Sequence, residues 1–269
     1  MATAHATPTA MIDRVASLLE VFEGHQRLTL AQISRRAQLP PSSAHRILQR
    51  LVELGWIERN RFEYHLGIRM FELGSQVVRR DGVHQAALPF LHFLHRTTGL
   101  TAHLSALTGA DVLHLERIGA WPESGAAWRL GARQPAVHSA AGRALLAQAD
   151  QAHWPAPPYP RAVSSGAVST LAELRDDLRR IQARGGVAVD VGRITAGLTA
   201  VAAPIGPPEG GLRAALSLCG PVGVLPVDKA VSAVRRAAQD IWYTATGANH
   251  RYGRPILPLA DALSAVAAG

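Results

Sequence analysis

One stretch of sequence decides the fold of the N-terminal part: Leu39-Pro40-Pro41-Ser42-Ser43-Ala44-His45-Arg46-Ile47-Leu48-Gln49-Arg50-Leu51-Val52-Glu53-Leu54-Gly55. In a helix that turns about 100° per residue, one side collects the apolar residues Ala44, Ile47, Leu48 and Leu51. The other side collects Ser42, Arg46, Gln49 and Arg50, with Ser43 and His45 at its edges. Such side chains hydrogen-bond phosphates and base edges, and a helix is slim enough to enter a major groove. The pattern predicts a DNA-recognition helix.

The residues before this helix predict the first part of a helix-turn-helix. Residues 11–22 have apolar side chains at helical spacing. Thr29 and Gln32 have the spacing of a capping box, so a short helix begins at Thr29 and leads to the turn Gln38-Leu39-Pro40. The order of a helix, a short helix, a turn and a longer helix is that of helix-turn-helix proteins.

The residues after the helix predict a wing. Apolar and polar residues alternate in Trp56–Arg59 and in Phe62–Leu66, on either side of a polar Asn60-Arg61 turn, which indicates a hairpin. A hairpin directly after a recognition helix is a wing, and we expect Arg59 and Arg61 near its tip to reach phosphates or a minor groove. With the starts of the two helices included, the predicted DNA-binding residues are Thr29, Pro41, Ser42, Ser43, His45, Arg46, Gln49, Arg50, Arg59 and Arg61.

The distribution of charge favours a polyanionic partner. The net charge is +8, and residues 26–61 carry seven Arg against two Glu, a local excess of +5. Residues 81–269 carry 17 basic and 13 acidic side chains, so the excess of positive charge there is spread over a much longer segment. A solvated basic surface is the simpler interpretation of such a cluster, but its coincidence with the helix-turn-helix pattern favours double-stranded DNA.

Length and composition limit the other possibilities. The 269 residues suffice for two domains, and 48% of them are hydrophobic. No apolar run approaches the roughly 20 residues of a membrane span, and residues 1–10 lack the pattern of a secretory signal. The single cysteine, Cys219, excludes a framework of intrachain disulfides and a zinc site of several thiolates. We therefore expect a cytoplasmic protein with no membrane partner.

The C-terminal part has the pattern of an α+β domain. Residues 68–80 predict a connecting helix, which we expect to contact a second subunit. Beyond residue 83, helical and strand-like segments interleave without a βαβ rhythm, which favours an antiparallel sheet with helices over a doubly wound fold. The predicted helices are 84–98, 140–148, 171–184 and one around Val231–Ile241; the predicted strands are 101–107, 112–118, 187–191, 198–205 and 212–218.

The chain resembles the IclR family of bacterial transcription regulators over residues 11–243. The resemblance is carried by eight motifs in order: Leu39–Leu48, Leu51–Gly55, Tyr64–Gly67, His114–Arg117, Ala141–Ala147, Val189-Asp190 with Gly197, Ala202–Ile205 and Ala214–Pro221. Each motif is weak alone, and their common order makes the resemblance specific. Two departures are the segment Val191-Gly192-Arg193, where the family usually has acidic residues, and Ala200, where it often has a cysteine or a polar residue.

The resemblance implies an α+β protein of two domains: an N-terminal winged helix-turn-helix and a C-terminal GAF-like effector domain, with a curved antiparallel sheet flanked by helices. The implied segments are the DNA-binding domain 1–67, a linker helix 68–82, an effector domain 83–246 and a tail 247–269. The implied partners are operator DNA of palindromic sequence, a small-molecule effector such as an organic acid or aromatic compound, and further subunits in a homodimer or tetramer.

The resemblance also implies a ligand pocket in the effector domain. Carried over by motif, its residues are Ser139, Ala140, Asp190, Ala200, Ser217 and Cys219, to which we add Trp128 from the loop-rich residues 119–137. Asp190 has two interpretations: a carboxylate that caps backbone amides at a strand end, or an acceptor for a ligand hydroxyl. Cys219 likewise is either a buried small hydrophobe or a redox sensor, and alternation along the strand places it on the same face as Ser217.

Two rival hypotheses concern other classes of protein. An enzyme is disfavoured because the sequence has no Gly-rich phosphate loop, no nucleophile elbow and no catalytic pair of metal ligands, so we expect neither enzyme activity nor a cofactor. A metal- or redox-responsive regulator of the same fold is the alternative to a metabolite sensor. Its candidate ligands, at no diagnostic spacing, are His84, His92, His95, His103, His114 and His138.

Overall fold

The computed structural model describes residues 10–79, 82–119, 128–160, 167–206, 213–224 and 226–247. The chain divides into two compact units, Met1–Arg80 and Asp81–Gly269. The end of the predicted linker at residues 80 and 81 and the predicted tail beyond Gly247 lie outside the described residues. Among the residues described, no helix is long and apolar enough to cross a membrane.

The first unit is a helix-turn-helix with a wing. Its helices are α1 (Met11–Glu20), α2 (Leu30–Arg36), α3 (Pro41–Glu53) and α4 (Ile68–Arg79), and its strands are β1 (Leu28–Thr29), β2 (Ile57–Asn60) and β3 (Glu63–Leu66). The strands form an antiparallel sheet in the order β1-β3-β2. The apolar side of α3 packs into the core of this unit, where Ala44 and Leu48 are fully buried beside Leu18, Ile33 and Ile57.

Local hydrogen bonds fix the turn between α2 and α3. The capping box predicted from sequence is present: the Thr29 amide donates to Oε1 of Gln32 at 2.8 Å, and the Gln32 amide donates to Oγ1 of Thr29 at 3.4 Å. The buried Ser34 hydroxyl donates to the carbonyl of Leu39 at 2.6 Å. Gln38, between them, takes the left-handed conformation with φ of 54°. The angle between the two helices therefore rests on contacts within ten residues of sequence.

The wing is a two-stranded hairpin, but its turn lies one residue later than predicted. Asn60 pairs with Glu63 as the last pair of the ladder, so the turn residues are Arg61 and Phe62 rather than Asn60 and Arg61. Arg61 adopts φ of 55°, the conformation that a two-residue hairpin turn requires. The alternation of the two strands was predicted correctly, whereas the pairing of β3 with the two-residue strand β1 was not.

The second unit is built on a six-stranded antiparallel sheet. Its helices are α5 (Gly82–Thr98), α6 (Ala140–Leu146), α7 (Leu171–Ala183) and α8 (Val227–Thr246). Its strands are β4 (Thr101–Thr108), β5 (Asp111–Ile118), β6 (Arg133–Pro135), β7 (Ala188–Val191), β8 (Leu198–Ile205) and β9 (Ala214–Pro221), in the order β6-β5-β4-β9-β8-β7. The α+β class with a winged helix-turn-helix and an antiparallel sheet flanked by helices is confirmed.

The two faces of this sheet pack against different helices. On one face, Ala102 and Leu104 of β4 lie in a core formed with α5 and α8. On the other face, Ala200 and Ala202 of β8 lie in a core formed with α6 and α7. Because residues alternate between the faces of a strand, His103 and Ser105 of β4 belong to the α6 face. That face carries the polar residues of the second unit's interior.

Candidate DNA interface and buried polar site

The exposed side of α3 carries the residues predicted to contact DNA. Ser42, Arg46, Gln49 and Arg50 are exposed, and Ser43 and His45 are half-buried at the edges of this side. Pro41 is exposed at the first position of the helix, where its missing amide leaves no donor unsatisfied. The four exposed side chains form one continuous polar strip on a helix held by a buried core.

Intramolecular contacts distinguish the arginines of this surface. Nη1 of Arg50 lies 2.7 Å from Oε2 of Glu53, so this cation is partly neutralised within its own helix. In the part of the chain that the structure describes, no ion pair involves Arg46. Since a cation without an acidic neighbour keeps its full charge for an anionic partner, Arg46 is the stronger candidate of the two α3 arginines for a contact with DNA.

The remaining predicted contacts have local structural roles as well. Thr29 is the N-cap of α2, and its hydroxyl donates a hydrogen bond to Oε1 of Gln32. The Arg59 guanidinium lies 5.5 Å from the centre of the Tyr64 ring, and its Nε donates to the carbonyl of Arg61 at 3.0 Å. Arg61 itself is exposed at the hairpin turn. The wing thus carries one arginine packed along the sheet and one at its tip.

The predicted ligand-binding residues of the second unit share the α6 face of the sheet. Asp190 pairs with Ala200, and Ala200 pairs with Cys219, so the three form one row across β7, β8 and β9. Ser217 lies two residues before Cys219 on the same face of β9. Ser139 caps α6 by accepting from the Gly142 amide at 3.4 Å, and Ala140 is buried as the first residue of that helix.

The carboxylate of Asp190 accepts hydrogen bonds from several groups of the protein itself. Its Oδ1 accepts from the backbone amides of Arg193 at 2.9 Å and Ile194 at 3.4 Å, as a carboxylate does when it caps a turn. Its Oδ2 accepts from Nη2 of Arg143 at 3.2 Å. Of the two interpretations of Asp190, these contacts favour the capping role, and no acceptor position on it is directed to a ligand alone.

Arg143 joins Asp190 to a second buried carboxylate. Nη1 of Arg143 donates to Oδ2 of Asp177 at 2.7 Å, and Nη1 of Arg193 donates to Oδ1 of Asp177 at 3.1 Å. Burial by itself raises the pKa of Asp177, but the two guanidinium groups outweigh burial and hold the pKa of this carboxyl below its usual range. The network ties α6, α7 and β7 together, and both carboxylates near the site are neutralised by arginine.

A cluster that the sequence did not predict as one group lies on the same face: Trp128 was assigned to the ligand pocket, and His103 and His114 to a possible metal site. The His103 and His114 rings have centroids 5.2 Å apart, and the Trp128 ring lies 5.9 Å from each. His114 is hydrogen-bonded through Nδ1 to the Ser105 hydroxyl at 2.9 Å, and His103 pairs across the ladder with Ser217. The signal was present in sequence, since His103 and Ser105 are polar residues two apart among the otherwise apolar residues 102–107 of the strand.

The Cys219 thiol is expected to be inert toward alkylation in the folded chain. It is buried, and burial raises the pKa of the thiol to about 12, with a lowering effect of the Ser217 hydroxyl and a raising effect of Asp190. Because the thiolate is the reactive form, native protein near neutral pH should react with iodoacetamide at least about a hundredfold more slowly than urea-unfolded protein. Equal rates in the two states would show that Cys219 is accessible and would revive the redox hypothesis.

The histidines give the metal hypothesis no support. Within the described residues, no group of three or more His, Cys, Asp or Glu side chains is placed to hold a metal ion. His84 instead contacts Glu116, His95 donates through Nδ1 to the carbonyl of Leu100, and His138 donates through Nε2 to the carbonyl of Val168. With His114 bonded to the Ser105 hydroxyl, four of the six candidate ligands have separate protein partners.

Comparison with known proteins gives matches along both units. Residues 11–61 match the family model described as the IclR helix-turn-helix domain, and residues 75–243 match the model described as bacterial transcriptional regulator IclR C-terminal. The HTH-type transcriptional regulator BhcR of Paracoccus denitrificans is 33% identical over 215 residues, which are 78% of this chain and 77% of BhcR. The HTH-type transcriptional regulator XynR of Escherichia coli is 30% identical over 220 residues, 77% of this chain and 84% of XynR.

A solved structure is similar over most of its length. It is an IclR homologue from Microbacterium hydrocarbonoxydans complexed with 4-hydroxybenzoate, which is 31% identical to this chain. The match covers 88% of this chain and all of the homologue, with a TM-score of 0.76. A transcriptional regulator of Rhodococcus sp. RHA1 matches with a TM-score of 0.75 and 25% identity over 88% of this chain and 98% of that one.

Proposed function

The chain belongs to the IclR family of bacterial transcriptional regulators, and from that premise we propose that it binds a two-fold operator as a homodimer whose affinity is set by a small organic acid. The observation that carries the DNA-binding half is the exposed strip of α3. Serine, arginine and glutamine side chains there suit phosphates and base edges, and arginine pairs in bidentate fashion with guanine. The named relatives are regulators, which supports a role in transcription rather than catalysis.

A dimer is supported by the surface of α4. Ile68 and Phe71, which are three residues apart and therefore neighbours on one side of this helix, are 65% and 70% exposed in the single chain, an unusual exposure for two large apolar side chains. A second copy would cover them and place two α3 helices against one duplex. Half-sites one helical turn apart lie about 34–36 Å from each other, so the separation of the two helices controls affinity.

The effector half of the proposal rests on the buried polar face of the second unit and on one relative. The Microbacterium homologue was crystallised with 4-hydroxybenzoate, and it matches 88% of this chain. In this chain the α6 face of the sheet offers Ser217, His103, His114 and Trp128 close together. We therefore propose an aromatic acid, or a similar small organic acid, as the effector.

Selection of binding sites from random duplexes, followed by fluorescence anisotropy, tests this function. We expect an enriched palindrome, a steep loss of affinity with salt as phosphate contacts release counterions, and a change of about 5- to 150-fold in affinity with effector. A panel of aromatic and aliphatic carboxylic acids, screened first by thermal shift, supplies the effector. Failure to enrich any sequence would contradict operator binding, and an unchanged affinity across the panel would contradict control by an organic acid.

A further inference from the structure

His103 is the buried polar residue of the second unit whose hydrogen bonding is least complete. It is fully buried on β4, and neither of its ring nitrogens has a hydrogen-bond partner of normal geometry in the segments that the structure describes. Oε1 of the buried Gln134 on β6 also lacks one there. Buried polar atoms in folded proteins nearly always have partners, so two such groups on the same face of the sheet indicate a place for a bound molecule.

The groups around His103 leave room for added negative charge. From β5 it faces His114 and Arg117, and from the segment between β5 and β6 it faces Trp128. From β9 it faces Ser217 and the thiol of Cys219, which is neutral because burial raises its pKa to about 12. Glu116 of β5 contacts His84, and on β7 Asp190 is paired with Arg143. The carboxylates of Glu116 and Asp190 thus each have a basic partner of their own.

His103 is uncharged before any ligand binds. Burial lowers the pKa of His103 to about 3, with smaller lowering effects of His114 and Arg117 and an opposing effect of the Trp128 backbone. A neutral imidazole in this position has one nitrogen that accepts and one that donates. An anion beside it would favour the protonated ring, because a buried charge is stable only when it is paired.

We propose that His103 binds the carboxylate of a small aromatic acid and takes up one proton as it does so, with Trp128 packed against the aromatic ring. The proton comes from solvent, the imidazole becomes an imidazolium, and no other bond is made or broken. Trp128 is the flat partner for the ring, since it already stacks on His114 with an angle of 20° between the two planes. This assignment rests on the proposed effector site and names its ligand class and its recognising residue.

Titration calorimetry of the full chain tests the assignment without any variant. The probes are 4-hydroxybenzoate and benzoate, with 4-hydroxybenzamide as the uncharged match, each in two buffers of equal pH and different heats of ionisation. We expect uptake of about one proton for an acid and none for the amide, and an affinity for the acid that rises about tenfold per unit fall in pH near neutrality. Binding of the acids without proton uptake overturns the assignment, and so does failure of both acids to bind.

The variant His103→Gln locates the proton, and His92→Gln is the matched control because His92 is exposed on α5. We expect His103→Gln to lose proton uptake and to bind the acid at least about tenfold more weakly, while His92→Gln behaves as wild type. If His103→Gln does not fold, His103→Asn and the wild-type proton count decide instead. Operator binding is measured separately on the same samples. If the wild-type protein binds no operator, the DNA-binding function alone is refuted. If His103→Gln binds the acid as tightly as wild type does, this assignment alone is refuted.

Discussion

Replacing Arg143 with methionine is expected to lower the free energy of unfolding of the second unit by about 3–5 kcal/mol, the usual cost of removing one partner from a buried ion pair. The Arg143 side chain is 1% exposed and lies 2.7 Å from Asp177 and 3.2 Å from Asp190. Methionine replaces the aliphatic part of the arginine side chain but carries no charge and no donor, so it leaves two buried carboxylates with fewer donors. Urea unfolding followed by tryptophan fluorescence measures this unit, because four of the five tryptophans lie beyond residue 81.

The matched control is Arg180→Met, because Arg180 contacts the same carboxylate from the surface. Its Nη2 lies 3.4 Å from Oδ1 of Asp177, and its side chain is 61% exposed. A solvent-exposed pair contributes about 0–1 kcal/mol, so the control should be nearly as stable as wild type. Similar losses in the two variants would mean that the charge on Asp177 is stabilised by solvent, and that Arg143 is not the structural centre of the network.

The pH dependence gives a second check on Arg143. Because the folded-state pKa of Asp177 is depressed, its ion pairs contribute fully above the usual aspartate pKa of about 3.9, and this contribution is lost as pH falls through the depressed value. In Arg143→Met the Asp177 carboxylate loses one of the cations that lower its pKa and is protonated more easily on acidification, which relieves the buried charge. The stability difference between wild type and variant should therefore shrink below about pH 4, and a constant difference would contradict the electrostatic explanation.

Local chemistry explains why the first unit could be predicted so closely from sequence. The face of α3, its end at Gly55 and the Thr29–Gln32 capping box depend on residues no more than a few positions apart. Helical periodicity and capping record such contacts directly in the sequence. The wing shows the limit of such local patterns. Alternation predicted both strands, but the predicted turn lay one residue too early, because the polar pair Asn60-Arg61 also suits a turn.

The polar site depends instead on contacts that are distant in sequence. Arg143 meets Asp177 and Asp190 across 34 and 47 residues, and no spacing rule links residues so far apart. For Asp190 the sequence left two roles open, and its backbone partners favour the capping role. His103 was weighed as a metal ligand because its strand partners were unknown; the register with Ser217 places it on the α6 face of the sheet.

Replacing Arg46 with alanine is expected to remove specific operator binding while the chain stays folded. Arg46 is exposed on the outer strip of α3, so its truncation removes no core contact. A good bidentate contact discriminates a base by about 1–3 kcal/mol, and a dimer presents two such arginines, so the loss is about 2–6 kcal/mol or roughly thirtyfold to ten-thousandfold in Kd. Anisotropy titration on the selected operator measures this loss, and thermal unfolding checks the fold.

Two comparisons separate base reading by Arg46 from loss of positive charge. Arg179→Ala removes an exposed arginine of α7 and should leave the operator Kd within about twofold, because an isolated surface charge contributes little at moderate salt. Gln49→Ala removes a neutral side chain from the same strip of α3. If Gln49 reads a base, its loss weakens the operator but not a scrambled duplex, whereas loss of a phosphate contact weakens both equally. Unchanged operator affinity in Arg46→Ala would refute α3 as the recognition helix, since that assignment rests on the exposed polar strip to which Arg46 belongs.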